Sequence, residues 1–140
     1  MKAIDRGQLL AQLKAILPQH CLIADRESQR PFECDGLALY RELPQLVVLP
    51  ETVAQVQAVL RCCHQLEVPV VARGSGTGLC GGAMPHPDGV LLGLSKLNRI
   101  LHIDPTARTA RVQPGVTNLA LSQAAGESGL YYGPDACSQI

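Results

Sequence analysis

Behind the apolar run Pro69-Val70-Val71-Ala72 the chain reads Arg73-Gly74-Ser75-Gly76-Thr77-Gly78-Leu79-Cys80-Gly81-Gly82, five glycines in ten residues. Glycine loses more backbone freedom on folding than any other residue. A chain accepts that cost where the backbone must take φ > 0 or come very close to something. Successive amides in such a turn form an anion-binding concavity, and phosphate is the usual guest.

The surrounding pattern predicts where this loop sits. Asp5 and Gln8 have capping-box spacing ahead of Leu9, Leu10, Leu13, Ile16 and Leu17, and Pro18 closes that helix. A polar, irregular stretch runs from Asp25 to Gln45, with Cys34-Asp35-Gly36 as a turn signal. Gln45 to Pro50 reads as a buried strand. Thr52 then caps a helix ending near Glu67, with Val53, Val56, Leu60 and Cys63 expected on its buried face. Pro69 to Arg73 is a second strand, so the unit is a strand-helix-strand crossover with the glycine loop at a strand's carboxyl end. Pro85, Pro87 and Asp88-Gly89 forbid a helix directly behind the glycines. Strand-like segments follow at Gly89 to Leu94, Ile100 to Asp104 and Thr109 to Gln113, then a small-residue helix from Thr117 to Ser128 with Gly129 as its αL cap. The expected class is α+β, layered as α/β: a small strand-helix-strand subdomain, then the start of a second mixed sheet.

Bulk properties exclude several functions. Twelve basic residues balance twelve acidic ones, and aromatics are 3% with no Trp, so neither a basic field nor stacking platforms invite nucleic acid. No stretch approaches the ~18 apolar residues of a membrane span, and Met1 to Asp5 lacks an apolar signal core, which leads us to expect a cytoplasmic protein. The six cysteines contain no Cys-x-x-Cys and the four histidines no helical pairing, so no metal site is expected. His86 and His102 stand alone and read as structural or solvated rather than as a general base.

Three phosphate-binding modes compete for the loop. The Walker pattern requires a Lys-Ser/Thr after its last glycine, which is absent. The dinucleotide fingerprint matches at Gly76-x-Gly78-x-x-Gly81, and Asp104 stands where a ribose-binding acid would follow. That mode needs a helix beginning at the third glycine, to supply its N-terminal dipole. The remaining mode is a nest without a helix, wrapping a pyrophosphate by amides, with hydroxyls from Ser75 and Thr77 and charge from Arg73.

The segment from Pro69 to Gly82 resembles the pyrophosphate loop of FAD-linked oxidases of the vanillyl-alcohol-oxidase/PCMH type. Cys34-Asp35-Gly36-Leu37, Val48-Leu49-Pro50-Glu51-Thr52, Val112-Gln113-Pro114-Gly115-Val116 and Tyr131-Tyr132-Gly133-Pro134-Asp135 extend the likeness. The set is most similar to the flavin subunit of glycolate oxidases, near D-lactate and D-2-hydroxyglutarate dehydrogenases. The resemblance implies residues 1–24 as an N-terminal helix and lead-in, then an FAD-binding domain from 25 to 140, incomplete at its C-terminus. It implies that Arg73, Gly74, Ser75, Gly76, Thr77 and Gly78 hold the FAD diphosphate. Leu79 and Gly82 would let the cofactor approach, and Pro134, Asp135 and Ser138 would form a second loop along the flavin. Some members bond flavin covalently through a histidine where this chain has Thr77, so noncovalent FAD is expected.

The same resemblance implies oxidation of a 2-hydroxy acid of the glycolate or D-lactate type to the 2-oxo acid. The catalytic groups would lie beyond Ile140. It further implies partner oxidase subunits, including an iron–sulfur electron acceptor, through which the protein would sit at the inner face of the membrane. An NAD-binding Rossmann domain and a non-catalytic remnant that retains no flavin stay open as alternatives. Gly76→Val is expected to abolish flavin retention while leaving folding largely intact.

Overall fold

A computed structural model of the chain describes residues 5–133. Helix α1 spans Arg6–Ile16, and its N-cap Asp5 accepts from the amides of Gly7 and Gln8 at 2.8 and 3.3 Å. Those bonds satisfy two of the donors that a helix start leaves orphaned. A 3-10 turn at Gln19–Cys21 leads into β1, Leu22–Ile23. Within the stretch expected to be irregular lies a short helix, α2, Arg26–Gln29. It is nucleated by Asp25, whose carboxylate accepts from the Ser28 amide at 2.8 Å.

Strand β2, Leu46–Val48, is followed by α3, Val53–Gln65, and β3, Val70–Arg73. The strand-helix-strand unit is therefore present, but β2 and β3 are not neighbours. Strand β4, Val90–Gly93, lies between them and runs parallel to both, and β1 closes the far edge antiparallel to β2. The segment expected to open a second sheet thus completes the first. Its residues explain the placement: Val90, Leu91, Leu92 and Gly93 are all buried, the continuous apolar run of a strand covered on both faces.

The second sheet consists, among the described residues, of the antiparallel hairpin β5, Ile100–Asp104, and β6, Thr109–Val112. Its turn is organised by Asp104, whose Oδ1 accepts from the amides of Thr106 and Ala107 at 3.0 and 2.9 Å. That engagement accounts for the acid considered above as a ribose ligand. Helix α4, Asn118–Gly126, ends in a Schellman arrangement. Gly129 has φ 68°, its amide reaches Gly126 O at 2.9 Å, and the Leu130 amide reaches Ala125 O at 3.1 Å.

The main core joins α1, α3 and one face of the first sheet. Leu9, Leu13 and Leu17 meet Val59, Cys62 and Cys63, with Leu46, Val48, Val90 and Leu92 beneath. The buried face of α3 keeps Val56 and Cys63 of the expected set but not the other two: Val53 and Leu60 are 60% and 44% exposed, and Val59 and Cys62 face inward. The expectation followed the bulkier apolar residues. Docking against α1 selects the neighbouring stripe, where Val59 and the small thiols allow close approach, and Cys62 Sγ lies 3.4 Å from Gln12 Oε1.

Two outcomes test this core. Leu13→Ala removes a fully buried side chain from the α1–α3 contact and is expected to cost about 3 kcal/mol in urea unfolding. Burial, reinforced by the neighbouring Cys62, pushes the Cys63 thiol from 9.0 up to about 11. Below pH 9 this thiol is neutral in both folded and unfolded chains. As pH rises from 9 towards about 11 only the unfolded chain releases the proton, so stability falls across that window. Urea midpoints measured through it are expected to drop in the native protein and to drop less in Cys63→Ala.

Candidate functional site

Residues 74–89 carry the chain from the carboxyl end of β3 back to the start of β4 without forming a helix. The dinucleotide mode that needs a helix at Gly78 to Gly82 therefore lacks its anion-binding terminus. The loop is held in shape from below and from one side.

From below, Arg73 ends β3 buried, with 9% of its surface exposed. Its Nη1 donates to Cys34 O at 2.6 Å and Phe32 O at 3.3 Å, and the guanidinium sits 5.8 Å from the Phe32 ring centre. The loop passes directly over this group. Gly76, at φ 77°, has no room for a Cβ because the Arg73 guanidinium occupies that space. Arg73 thus sits under the loop, with Nη1 turned to carbonyls rather than outward. Among the described residues no carboxylate lies within ion-pair distance of it. A buried cation without a counter-ion is costly, and an anion just above the loop would offset that cost.

From the side, the Cys34-Asp35-Gly36 turn fastens the loop's outer limb. The Gly36 amide donates to Gly78 O at 2.9 Å, and the Gly81 amide donates to Asp35 Oδ2 at 2.8 Å. Sequence reasoning read this segment only as a turn and a flanking motif. No local signal marks its partner, because Gly81 lies 46 positions along the chain from Asp35.

Between these supports the loop leaves donors free. Among the described residues, none accepts a hydrogen bond from the amides of Ser75, Gly76, Thr77 or Gly78. The Ser75 and Thr77 hydroxyls lie 3.2 Å apart on the exposed side. A Cβ built on Gly74, Gly78 or Gly82 would meet nothing within 4 Å, so the backbone there is open to close approach. The concavity encloses about 410 Å³ and includes Leu79 and Cys80 on its rim. Four free amides, two hydroxyls and a buried cation suit a diphosphate in charge and donor count. Pro134, Asp135 and Ser138 lie outside the described residues.

Other groups are accounted for locally. His86 Nδ1 accepts from the Asp88 amide at 3.1 Å within a turn, and His102 is exposed. One group of described residues, His20, Cys21 and Glu51, has ligand-type atoms within 4.8 Å of one another. Glu51 Oε1 there already meets Lys96 Nζ at 2.9 Å and His20 Nε2 at 3.1 Å. These two partners, Lys96 first, hold the Glu51 carboxyl below the usual range.

The geometry revises the expectation for Gly76→Val. A side chain there meets both the Arg73 guanidinium and an unfavourable φ, so this substitution disturbs the loop itself. Gly78 is the cleaner probe. Gly36→Ala, whose methyl would stand 2.5 Å from Thr77 O, is expected to destabilise the chain by about 2 kcal/mol in thermal or urea unfolding. Gly82→Ala, with open space around it, is expected to stay within about 0.5 kcal/mol.

Comparison with known proteins places this loop in context. Residues 44–140 match the FAD binding domain family. Glycolate oxidase subunit GlcD of Escherichia coli strain K12 is 52% identical over 137 residues, covering 98% of this chain and 28% of that protein. D-lactate dehydrogenase of Anaerostipes hadrus is 34% identical over 129 residues, covering 91% of this chain and 27% of that protein. The chain therefore spans little more than a quarter of the length of these relatives. Among solved structures, p-cresol methylhydroxylase with substrate bound superposes with a TM-score of 0.76 at 28% identity, over 89% of this chain and 25% of that one. Fold, loop and sequence agree, and the chain belongs to the FAD-binding domain family of PCMH-type flavoproteins.

Proposed function

We propose that this chain is the dinucleotide-diphosphate-binding part of a flavoprotein that oxidises a 2-hydroxy acid of the glycolate or D-lactate type. The observation that carries the reading is the run of four amides over the buried Arg73 guanidinium, the amides without an acceptor and the guanidinium without a carboxylate among the described residues. In this reading the amides of Ser75 to Gly78 and the hydroxyls of Ser75 and Thr77 bind the FAD diphosphate. Arg73 adds charge from beneath the loop, and Gly74, Leu79 and Gly82 admit the cofactor's approach. Pro134, Asp135 and Ser138 remain assigned to the second, flavin-side loop. Noncovalent retention is supported by Thr77, which lacks the imidazole nitrogen through which some relatives bond flavin.

FAD, when bound, supplies a hydride acceptor for the substrate's α-carbon. This chain's residues bind and orient it. The substrate class is supported by the similarity to a glycolate oxidase subunit and a D-lactate dehydrogenase. Being like a protein named as a subunit, the chain is further proposed to work with other oxidase subunits, an iron–sulfur electron acceptor among them. No helix among the described residues is long and apolar enough to cross a membrane. Cytoplasmic placement, with contact to the inner membrane face made through those subunits, belongs to the same proposal.

The test is flavin retention by the purified chain. We expect visible flavin absorbance, released into the supernatant by acid precipitation, as a noncovalent cofactor requires. Gly78→Val should abolish that absorbance with unfolding stability unchanged within about 0.5 kcal/mol. Flavin left in the acid pellet would overturn noncovalent binding. A colourless protein with no affinity for added FAD would leave the non-catalytic remnant as the better reading. Cys80, exposed on the rim, should react first with a thiol reagent among the described cysteines and be slowed by FAD.

A further inference from the structure

We propose that Asp35 is a positioning residue for the anion site, acting with Gly36 as a strap that keeps the loop's donors free and its carbonyl turned away. The proposal rests on the anion-binding reading of the loop and assigns a role to residues outside it. Asp35 is 6% exposed, and both carboxylate oxygens are used: Oδ2 accepts from the Gly81 amide at 2.8 Å and Oδ1 from the Leu37 amide at 3.0 Å. Among the described residues no basic side chain lies within ion-pair distance of it. A buried carboxylate beside an anion site is electrostatically unfavourable unless its hydrogen bonds do something an apolar residue cannot.

The contacts show what they do. A glycine-rich loop has many conformations, and most would point some carbonyl into the concavity, where it would repel an anion. The Gly36 amide takes the Gly78 carbonyl at 2.9 Å and so turns it towards the strap. Asp35 takes the Gly81 amide and pins the limb beyond. On the limb that leads from Arg73 up to the first of those points, the amides from Ser75 to Gly78 have no acceptor among the described residues. Gly36 is needed because Thr77 O stands 2.5 Å from where a Cβ would be, so the strap lies in direct backbone contact with the loop. Ordering the loop beforehand removes a cost that the ligand would otherwise meet on binding.

The experiment compares the full chain with Asp35→Ala and Asp35→Asn, the latter keeping one acceptor oxygen without the charge. Two readouts are taken: titration with FAD, with inorganic pyrophosphate as a second probe, and the backbone amide resonances of Ser75 to Gly78 in cofactor-free protein. Asp35→Ala should weaken FAD at least about tenfold and shift or broaden those resonances, while Asp35→Asn stays within about threefold of the native protein. If Asp35→Ala fails to fold, Asp35→Ser, too short to reach Gly81, takes its place under the same criteria. Unchanged loop resonances, or FAD affinity equal to native in the Ala or Ser variant, would overturn the strap. Native protein that binds neither FAD nor pyrophosphate would overturn the anion-site reading, and the cofactor-free resonances would then still decide whether Asp35 orders the loop.

Discussion

The arrangement depends on one buried cation. Arg73 leaves the end of β3 and holds the carbonyls of Phe32 and Cys34. The glycine loop is draped over its guanidinium, with Gly76 at φ 77° where any side chain would collide with it. Charge, loop conformation and the position of the neighbouring turn are set by the same side chain. Lysine would not replace it in kind: its ammonium could donate to the same two carbonyls, but it lacks the planar guanidinium that fills the space beneath Gly76.

Around that centre the molecule divides its polar groups sharply. Carbonyls are spent inward, on Arg73 and on the Gly36 amide, and donors are left outward. In the proposed reading this asymmetry receives an anion, the diphosphate of the cofactor for which the FAD-binding family of the chain is named.

Much of this was legible in the residues. Asp5 and Thr52 announced two helix starts, and each caps its helix as expected; the helix read from Thr117 is present too, with Thr117 as its cap. Pro85 and Pro87 signalled that no helix follows the glycines, which separated this loop from a Rossmann turn. Three features were not legible. Strand order depends on which apolar runs are covered on both faces, and Val90 to Gly93 shows this only once β2 and β3 flank it. On α3, Val56 and Cys63 pack inward as expected, but Val59 and Cys62 take the places expected of Val53 and Leu60, because α1 docks on the stripe of Val59, Cys62 and Cys63. Asp35 was read as a turn residue because nothing local reveals a partner forty-odd positions away at Gly81.

The helix-free connection from β3 to β4 carries a consequence for how the chain can vary. Parallel neighbouring strands need a return path of about a dozen residues or more, and helices usually supply it. Here residues 74–89 do so alone, as the ligand loop itself. Shortening it would pull β4 out of register with β3 before it altered any ligand contact. The later limb is itself tied down, with Gln45 Nε2 donating to Pro87 O at 2.9 Å and Arg73 Nη1 to Ala83 O at 3.5 Å. The length of the loop is therefore set from both ends by the sheet that it connects.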